Sequence, residues 1–273
     1  MTNHGAAMRA LARFALPAIA GTALFITSCV DSGQHLQRDS TKKVAAKSGR
    51  TEINGTGIHY LEWGKTGPSI VMLHGLNDDA GIWQSLAPRL ASDYHVVAPD
   101  RRGAGKSDSP NTGSDAQSLI LDLAGLIRNL KLGPVVLVGH SAGAETALKM
   151  AAHHPEMIRS VILIDGGFWP YHAGSAYNPE ELYPLVSSPA LLVFARQTQP
   201  GRDVLDQYQR IGQNYFEQLK LAEQHVREVA GRKLRRGRMI IIDDTSHAIQ
   251  TDQPETLART IKKFLSEAPM ESK

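Results

Sequence analysis

With one cysteine in 273 residues, Cys29, the chain can form no intrachain disulfide. It also lacks an internal repeat, any cofactor-binding motif and any pattern that implies a metal. Gly103-Ala104-Gly105-Lys106-Ser107 has the composition of a phosphate loop but not its full spacing. There is no domain-wide excess of positive charge. The net charge of +3 hides a split: residues 1–50 hold seven Lys or Arg against two Asp or Glu, and the remainder holds 23 against 25. The basic character therefore belongs to the N-terminal arm, and the rest carries no electrostatic footprint for nucleic acid. The most apolar stretch, Phe14 to Ile26, is interrupted by Pro17 and Gly21 and is too short to span a bilayer comfortably as a mature helix. What remains is an ordinary globular composition, 42% hydrophobic and 21% charged, with length for one domain and extra segments.

That apolar stretch follows Arg9 and Arg13 and ends in Ile26-Thr27-Ser28-Cys29. A basic start, an apolar middle and small residues fit an export signal, with Met8 an alternative start. The last four residues resemble the lipobox of bacterial lipoproteins. The resemblance implies a signal peptide over residues 1–28 and acylation of Cys29, a lipid anchor whose burial is worth about 0.8 kcal/mol per CH₂. An ordinary cleaved signal with an incidental cysteine is the alternative. The expected location is the bacterial cell envelope. Val30 rather than Asp after the cysteine points to the outer membrane if the cell is Gram-negative. Residues 29–50 are polar and charged and read as a flexible tether.

From residue 51 to 268, strand and helix signals alternate, which predicts a parallel sheet covered on both faces. Two short strands flank Asn54-Gly55-Thr56-Gly57. Ile70 to Leu73, Val96 to Ala98, Val161 to Ile164, Leu191 to Ala195 and Met239 to Ile242 are further strands. Helices are expected around Ile82 to Ala91, after a cap at Asp115, as one or two pieces over 204–235, and from Pro254 to Phe264. Asp252 and Glu255 are spaced as a capping box for the last of these. The segment 166–189 has room for a small lid. Its aromatics, Phe168 and Trp169 first, either line a substrate pocket or pack the lid down.

The chain is organised around residues 134–146. Val135 to Val138 reads as a buried strand, and Ala144, Ala147, Leu148 and Ala151 recur at helical spacing. Between them stands Gly139-His140-Ser141-Ala142-Gly143, with no room for a loop. Ser141 is then held at a strained turn above a helix N-terminus, and side chains at Gly139 or Gly143 would collide with the neighbouring strand or helix. A serine hydroxyl becomes nucleophilic when a base removes its proton. Among eleven histidines, His247 follows the last strand, where its loop can fold over the sheet edge above Ser141.

Five ordered segments resemble the α/β-hydrolase superfamily: Leu73-His74-Gly75-Leu76, Asp100 to Ser107, the Ser141 turn, Leu163-Ile164-Asp165, and Ser246-His247. The resemblance implies an α/β-hydrolase fold, a mostly parallel central sheet flanked by helices with a small lid. It implies a triad of Ser141, His247 and a carboxylate, and an oxyanion hole from the backbone N–H groups of Leu76 and Ala142. His74, by the same resemblance, braces its loop, and His140 is buried with its ring turned elsewhere. The commonest place for the acid, Arg196 to Gln199, holds none. Asp165, at the end of the preceding strand, is preferred, and Asp203 is the alternative. Ser141 argues against dehalogenases and epoxide hydrolases, whose nucleophile in this superfamily is an aspartate.

The expected function is ester hydrolysis through an acyl-enzyme, acting on a small-molecule acyl substrate without cofactor or metal. The alternatives are an amidase, lactonase or carbon–carbon bond hydrolase with the same triad, and a non-catalytic binder that keeps the pocket.

Overall fold

In a computed structural model, eight strands form one sheet in the order β1-β2-β4-β3-β5-β6-β7-β8. The structure describes residues 44–110, 115–167, 178–210, 212 and 214–268, with the backbone alone at several positions between 202 and 233, Asp203 among them. The strands are β1 Lys47–Ile53, β2 Thr56–Trp63, β3 Ser69–Leu73, β4 His95–Pro99, β5 Val135–His140, β6 Ile158–Ile164, β7 Ala190–Arg196 and β8 Gly237–Asp243. β1 and β2 are antiparallel, β2 meets β4 antiparallel, and β3 to β8 pair in parallel. This is the α/β-hydrolase fold, a mostly parallel sheet flanked by helices.

The central strands are apolar throughout because both their faces are covered. Ile70 and Met72 pack on one face with Trp83, Leu86, Leu257 and Ile261. Val71 and Leu73 pack on the other with Leu123, Ile127, Ala147 and Leu148. That alternation is the two-residue period of a strand, and each such side chain buried contributes about 1.5–3 kcal/mol. The helices Ala116–Asn129 and Ala142–His153 cover the second face, and Pro254–Glu267 covers the first. Asp115 caps its helix by accepting the Ser118 N–H at 3.0 Å. The stretch 204–235 resolves into two helices, Arg202–Arg210 and Tyr215–Lys233. Among the described residues no helix is long and apolar enough to cross a membrane.

Three local expectations are corrected. The sheet begins at Lys47, so residues 47–50 belong to β1 and not to a tether. Composition misses this because their order comes from pairing with β2 and from Arg50, which donates to the Lys106 carbonyl and pairs with Asp108. The region 82–91 is not one helix. It splits into a 3₁₀ turn, Ala80–Trp83, and a single turn, Ala87–Leu90. Pro88 can donate no N–H and restricts the residue before it. Trp83, Leu86, Ala87 and Leu90 are nonetheless fully buried, as their spacing requires. The capping box at the last helix does not form. Gln253 is the N-cap without a side-chain bond, Glu255 accepts from Arg89, and Asp252 turns to the loop before it.

Candidate active site

The register of two parallel strands places the chemistry. His140 at the end of β5 pairs with Ile164 at the end of β6. The next residue on each strand is Ser141 and Asp165, so a hydroxyl and a carboxylate leave the sheet side by side at its carboxyl edge. Both backbones turn sharply there, with φ of 53° at Ser141 and 43° at Asp165. Such angles are unfavourable for residues with a side chain and persist only where the surroundings enforce them. The enforcement is visible: Ser141 N–H donates to Ile164 O at 3.0 Å and Asp165 N–H to Val193 O at 2.8 Å.

Ser141 is also the N-cap of the Ala142–His153 helix, so strand and helix meet at one residue. Close packing at this corner needs two glycines. A Cβ at Gly139 would sit 2.4 Å from the Gly143 carbonyl oxygen, and one at Gly143 would sit 2.3 Å from the Leu73 oxygen. No flexible side chain is there to yield. The glycine spacing around Ser141 is thus a steric requirement of bringing the helix against the end of β3.

His247 reaches this corner on the loop after β8. Its Nδ1–H donates to Asp165 Oδ2 at 2.6 Å, and Asp165 Oδ1 accepts the Ala195 N–H at 2.9 Å. Asp165 therefore has both oxygens engaged, which compensates its partial burial at the end of an apolar strand. With Nδ1 as donor, the neutral ring leaves Nε2 as its acceptor. The hydrogen bond to Asp165 raises the pKa of His247 above the ordinary histidine value. Burial opposes the shift, and the charges of Asp165 and Asp78 reinforce it. Among the described residues, neither Ser141 Oγ nor His247 Nε2 has a hydrogen-bond partner.

The loop carrying His247 is held by contacts that the sequence did not indicate. Asp252 accepts the Ser246 N–H at 2.8 Å, and the Gln253 amide donates to the Asp243 and Asp244 carbonyls at 2.7 and 3.2 Å. His140 corrects an expectation. It is buried, but its ring does not point elsewhere: it packs on the His247 ring with centroids 4.6 Å apart, and its Nε2–H donates to the His247 carbonyl at 2.9 Å. Its position next to Ser141 was the available signal, but its direction depends on where a loop 107 residues away returns. Burial, then the charge of His247, lower the His140 pKa from the ordinary histidine value.

The loop after β3 completes the site. His74 is fully buried; its Nδ1–H donates to the Gly75 carbonyl at 2.9 Å, and its Nε2 accepts the Arg101 N–H at 3.0 Å. Those two bonds fix the neutral tautomer, and burial lowers its pKa in agreement. Leu76 follows, largely exposed, and among the described residues neither its N–H nor that of Ala142 is hydrogen-bonded. Asp78, on the same loop, brings its Oδ2 to 4.0 Å from His140 Nδ1.

Asp203 lies within the Arg202–Arg210 helix, and its side chain is outside the described residues, as are Phe168 and Trp169. Cys29 lies outside them too. A small apolar cleft of about 30 Å³ is lined by Ile58, Leu73, Leu119, Leu123, Arg101 and Thr146; neither Ser141 nor His247 lines it. Among the described residues no three His, Cys, Asp or Glu side chains are grouped to hold a metal.

Comparison with known proteins agrees with this architecture. The family described as the alpha/beta hydrolase fold matches residues 68–254. A 2-(acetamidomethylene)succinate hydrolase of Mesorhizobium japonicum is 40% identical over 124 residues, 45% of this chain and 44% of the relative. A soluble epoxide hydrolase of a Corynebacterium species is 33% identical over 113 residues, 41% of this chain and 39% of the relative. The matched part thus spans less than half the length of these curated relatives. The crystal structure of an E-2-(acetamidomethylene)succinate hydrolase superposes with a TM-score of 0.65 at 21% identity, covering 81% of this chain and 100% of the other.

Proposed function

The chain belongs to the alpha/beta hydrolase fold family, and from that premise we propose that it is a serine hydrolase cleaving carboxylic esters through an acyl-enzyme on Ser141. One observation carries the reading: Asp165 Oδ2 stands 2.6 Å from His247 Nδ1, beside the strained turn that presents Ser141. That bond holds the ring in the tautomer that leaves Nε2 able to take a proton, which turnover requires.

In the proposed reaction, His247 Nε2 takes the Ser141 proton as Oγ attacks the ester carbonyl. The carbonyl π electrons move to oxygen, and the oxyanion is held by the Leu76 and Ala142 N–H groups at the helix N-terminus. Asp165 stabilises the imidazolium without accepting its proton. The imidazolium gives the proton to the departing alkoxide as the C–O bond breaks, leaving the acyl group on Ser141. Water, deprotonated by His247, then attacks that ester; the bond from the acyl carbon to Oγ breaks, His247 returns the proton to Ser141 Oγ, and the acid is released.

The test is a panel of p-nitrophenyl esters of increasing chain length, run beside lactones and anilides, with Ser141 labelling by a fluorophosphonate read by mass. Hydrolysis of esters with labelling of Ser141 is expected. Turnover confined to lactones or anilides would replace the ester reading by the second one, a lactonase or an amidase with the same triad. The name of the Mesorhizobium relative favours that second reading. No labelling and no turnover with any substrate would leave the binder.

The proposal extends to export and to a lipid anchor on Cys29, resting on Ile26-Thr27-Ser28-Cys29 and the basic and apolar residues before it. Replacing Cys29 by serine is expected to move the protein from the membrane fraction to the soluble fraction. An unchanged distribution sinks the anchor and leaves the hydrolase untouched.

A further inference from the structure

Two adjacent arginines follow β4, and they do different things. Arg102 makes a bidentate pair with Asp122, Nε to Oδ2 at 2.5 Å and Nη2 to Oδ1 at 2.7 Å, which ties the loop to the Ala116–Asn129 helix. Arg101 turns the other way. Its Nη2–H donates to the Gly75 carbonyl at 2.9 Å, and its own backbone N–H donates to His74 Nε2 at 3.0 Å. The Gly75 carbonyl therefore accepts from two side chains, Arg101 and His74. Among the described residues the buried Arg101 Nε has no hydrogen-bond partner, and the Gly75 carbonyl accepts from Nη2 of the same guanidinium.

The consequence follows from peptide geometry. In a trans peptide the C=O of one residue and the N–H of the next point in opposite directions. Fixing the Gly75 carbonyl toward Arg101 and His74 fixes the Leu76 N–H away from them. The loop already lies against the nucleophile, since a Cβ on Gly75 would be 3.3 Å from Ser141 Cβ. A donor at the carbonyl end also polarises the peptide and makes its N–H a better donor. A cation is the strongest such donor, and it adds a favourable field for negative charge on the far side of the peptide.

We propose that Arg101 is a positioning residue for oxyanion stabilisation: with His74 it sets the direction of the Leu76 N–H, and its charge strengthens that N–H as a donor. This rests on the hydrolase reading for its catalytic meaning, but not for its geometry. Burial lowers the Arg101 pKa and the charge of Asp78 offsets part of that, yet a guanidinium stays cationic in a protein. The sequence hid the residue because one arginine in the pair looks like the other until their partners are known.

The test compares Arg101→Met, which removes the donor and the charge at similar length, with Arg101→Lys, which keeps the charge. The first readout needs no substrate: the Leu76 amide resonance in a ¹⁵N spectrum and its hydrogen exchange. Arg101→Met is expected to shift that resonance and speed its exchange. The second readout is ester hydrolysis. There kcat is expected to fall about 10- to 100-fold with KM within about threefold, less than the loss of a whole oxyanion donor. Arg101→Lys is expected to recover part of kcat. A folded Arg101→Met protein with an unmoved Leu76 amide and kcat within twofold overturns the inference. So does a loss that falls wholly on KM, which would make Arg101 a substrate contact. Should Arg101→Met not fold, Arg101→Lys gives the same two readings, since a single lysine donor cannot reproduce the planar fork. If the wild type hydrolyses nothing, the hydrolase reading fails, while the Leu76 amide still decides the geometry.

Discussion

Replacing Ser141 by alanine is expected to lower ester turnover by about 10⁴-fold or more and to abolish fluorophosphonate labelling, with the fold retained. The size follows from the absence of any second step the remaining groups can run: without Oγ there is no acyl-enzyme. The fold survives because alanine inherits the same backbone. Its φ of 53° is imposed by the Ser141 N–H bond to Ile164 O and by the helix that begins at Ala142, neither of which involves the hydroxyl. A thermal unfolding midpoint within a few degrees of wild type checks this.

The same variant separates two serines that a bond diagram alone would confuse. Ser48 O–H donates to His59 Nε2 at 2.8 Å, and His59 Nδ1–H donates to Asp100 Oδ2 at 2.7 Å. That is the bond order of a triad. Ser48, however, lies inside β1, with strand on both sides and no helix beginning at it. Asp100 is occupied in holding loops, accepting the Ala80 and Lys106 N–H groups at 2.7 and 2.8 Å. Without a strained turn or a helix N-terminus above it, Ser48 has nothing to receive an oxyanion. Residual labelling of the Ser141→Ala protein that maps to Ser48 would contradict this account of what makes a serine reactive here.

Much of the fold was legible because parallel strands covered on both faces must be apolar at every position. Val135 to Val138 and Val161 to Ile164 announce themselves in that way, and the glycines around Ser141 announce the corner between the first of them and the helix that follows. The start of β1 was not legible: Lys47-Ser48-Gly49-Arg50 carries no hydrophobic signal, and its order comes from β2 and from the loop that Arg50 meets. At the site, the placing of Ser141 and His247 followed from which residues end strands. The residues that hold them did not. His140 and Asp252 grip the His247 loop through contacts set by how that loop folds back over the sheet. A capping spacing at Asp252 pointed to the wrong partner, because the side chain met a nearer N–H group, that of Ser246.

Asp165→Asn is expected to lower kcat about 10³- to 10⁴-fold, whereas Asp203→Asn leaves it within a fewfold. The asparagine can present its amide oxygen to His247 Nδ1–H but carries no charge to stabilise the imidazolium, and its NH₂ group can select the wrong tautomer. The pH profile gives an independent reading. In the proposed mechanism His247 acts as a base only when Nε2 is unprotonated, so wild-type kcat/KM is expected to rise with pH through a midpoint raised from the ordinary histidine value, the hydrogen bond to Asp165 being the first cause of the raised pKa. In Asp165→Asn the midpoint moves to lower pH while the plateau falls. Stability runs in the opposite direction. A histidine whose folded pKa is raised binds its proton more tightly in the native state, so its contribution is fully present below the unfolded value and is lost as pH rises through the folded one. The difference in unfolding free energy between wild type and Asp165→Asn should therefore be widest in mild acid and narrow toward alkaline pH, the Ala195 N–H bond to Asp165 leaving a pH-independent remainder. A midpoint that stays put in Asp165→Asn, or a larger loss in Asp203→Asn, would mean that a different carboxylate faces His247 during turnover.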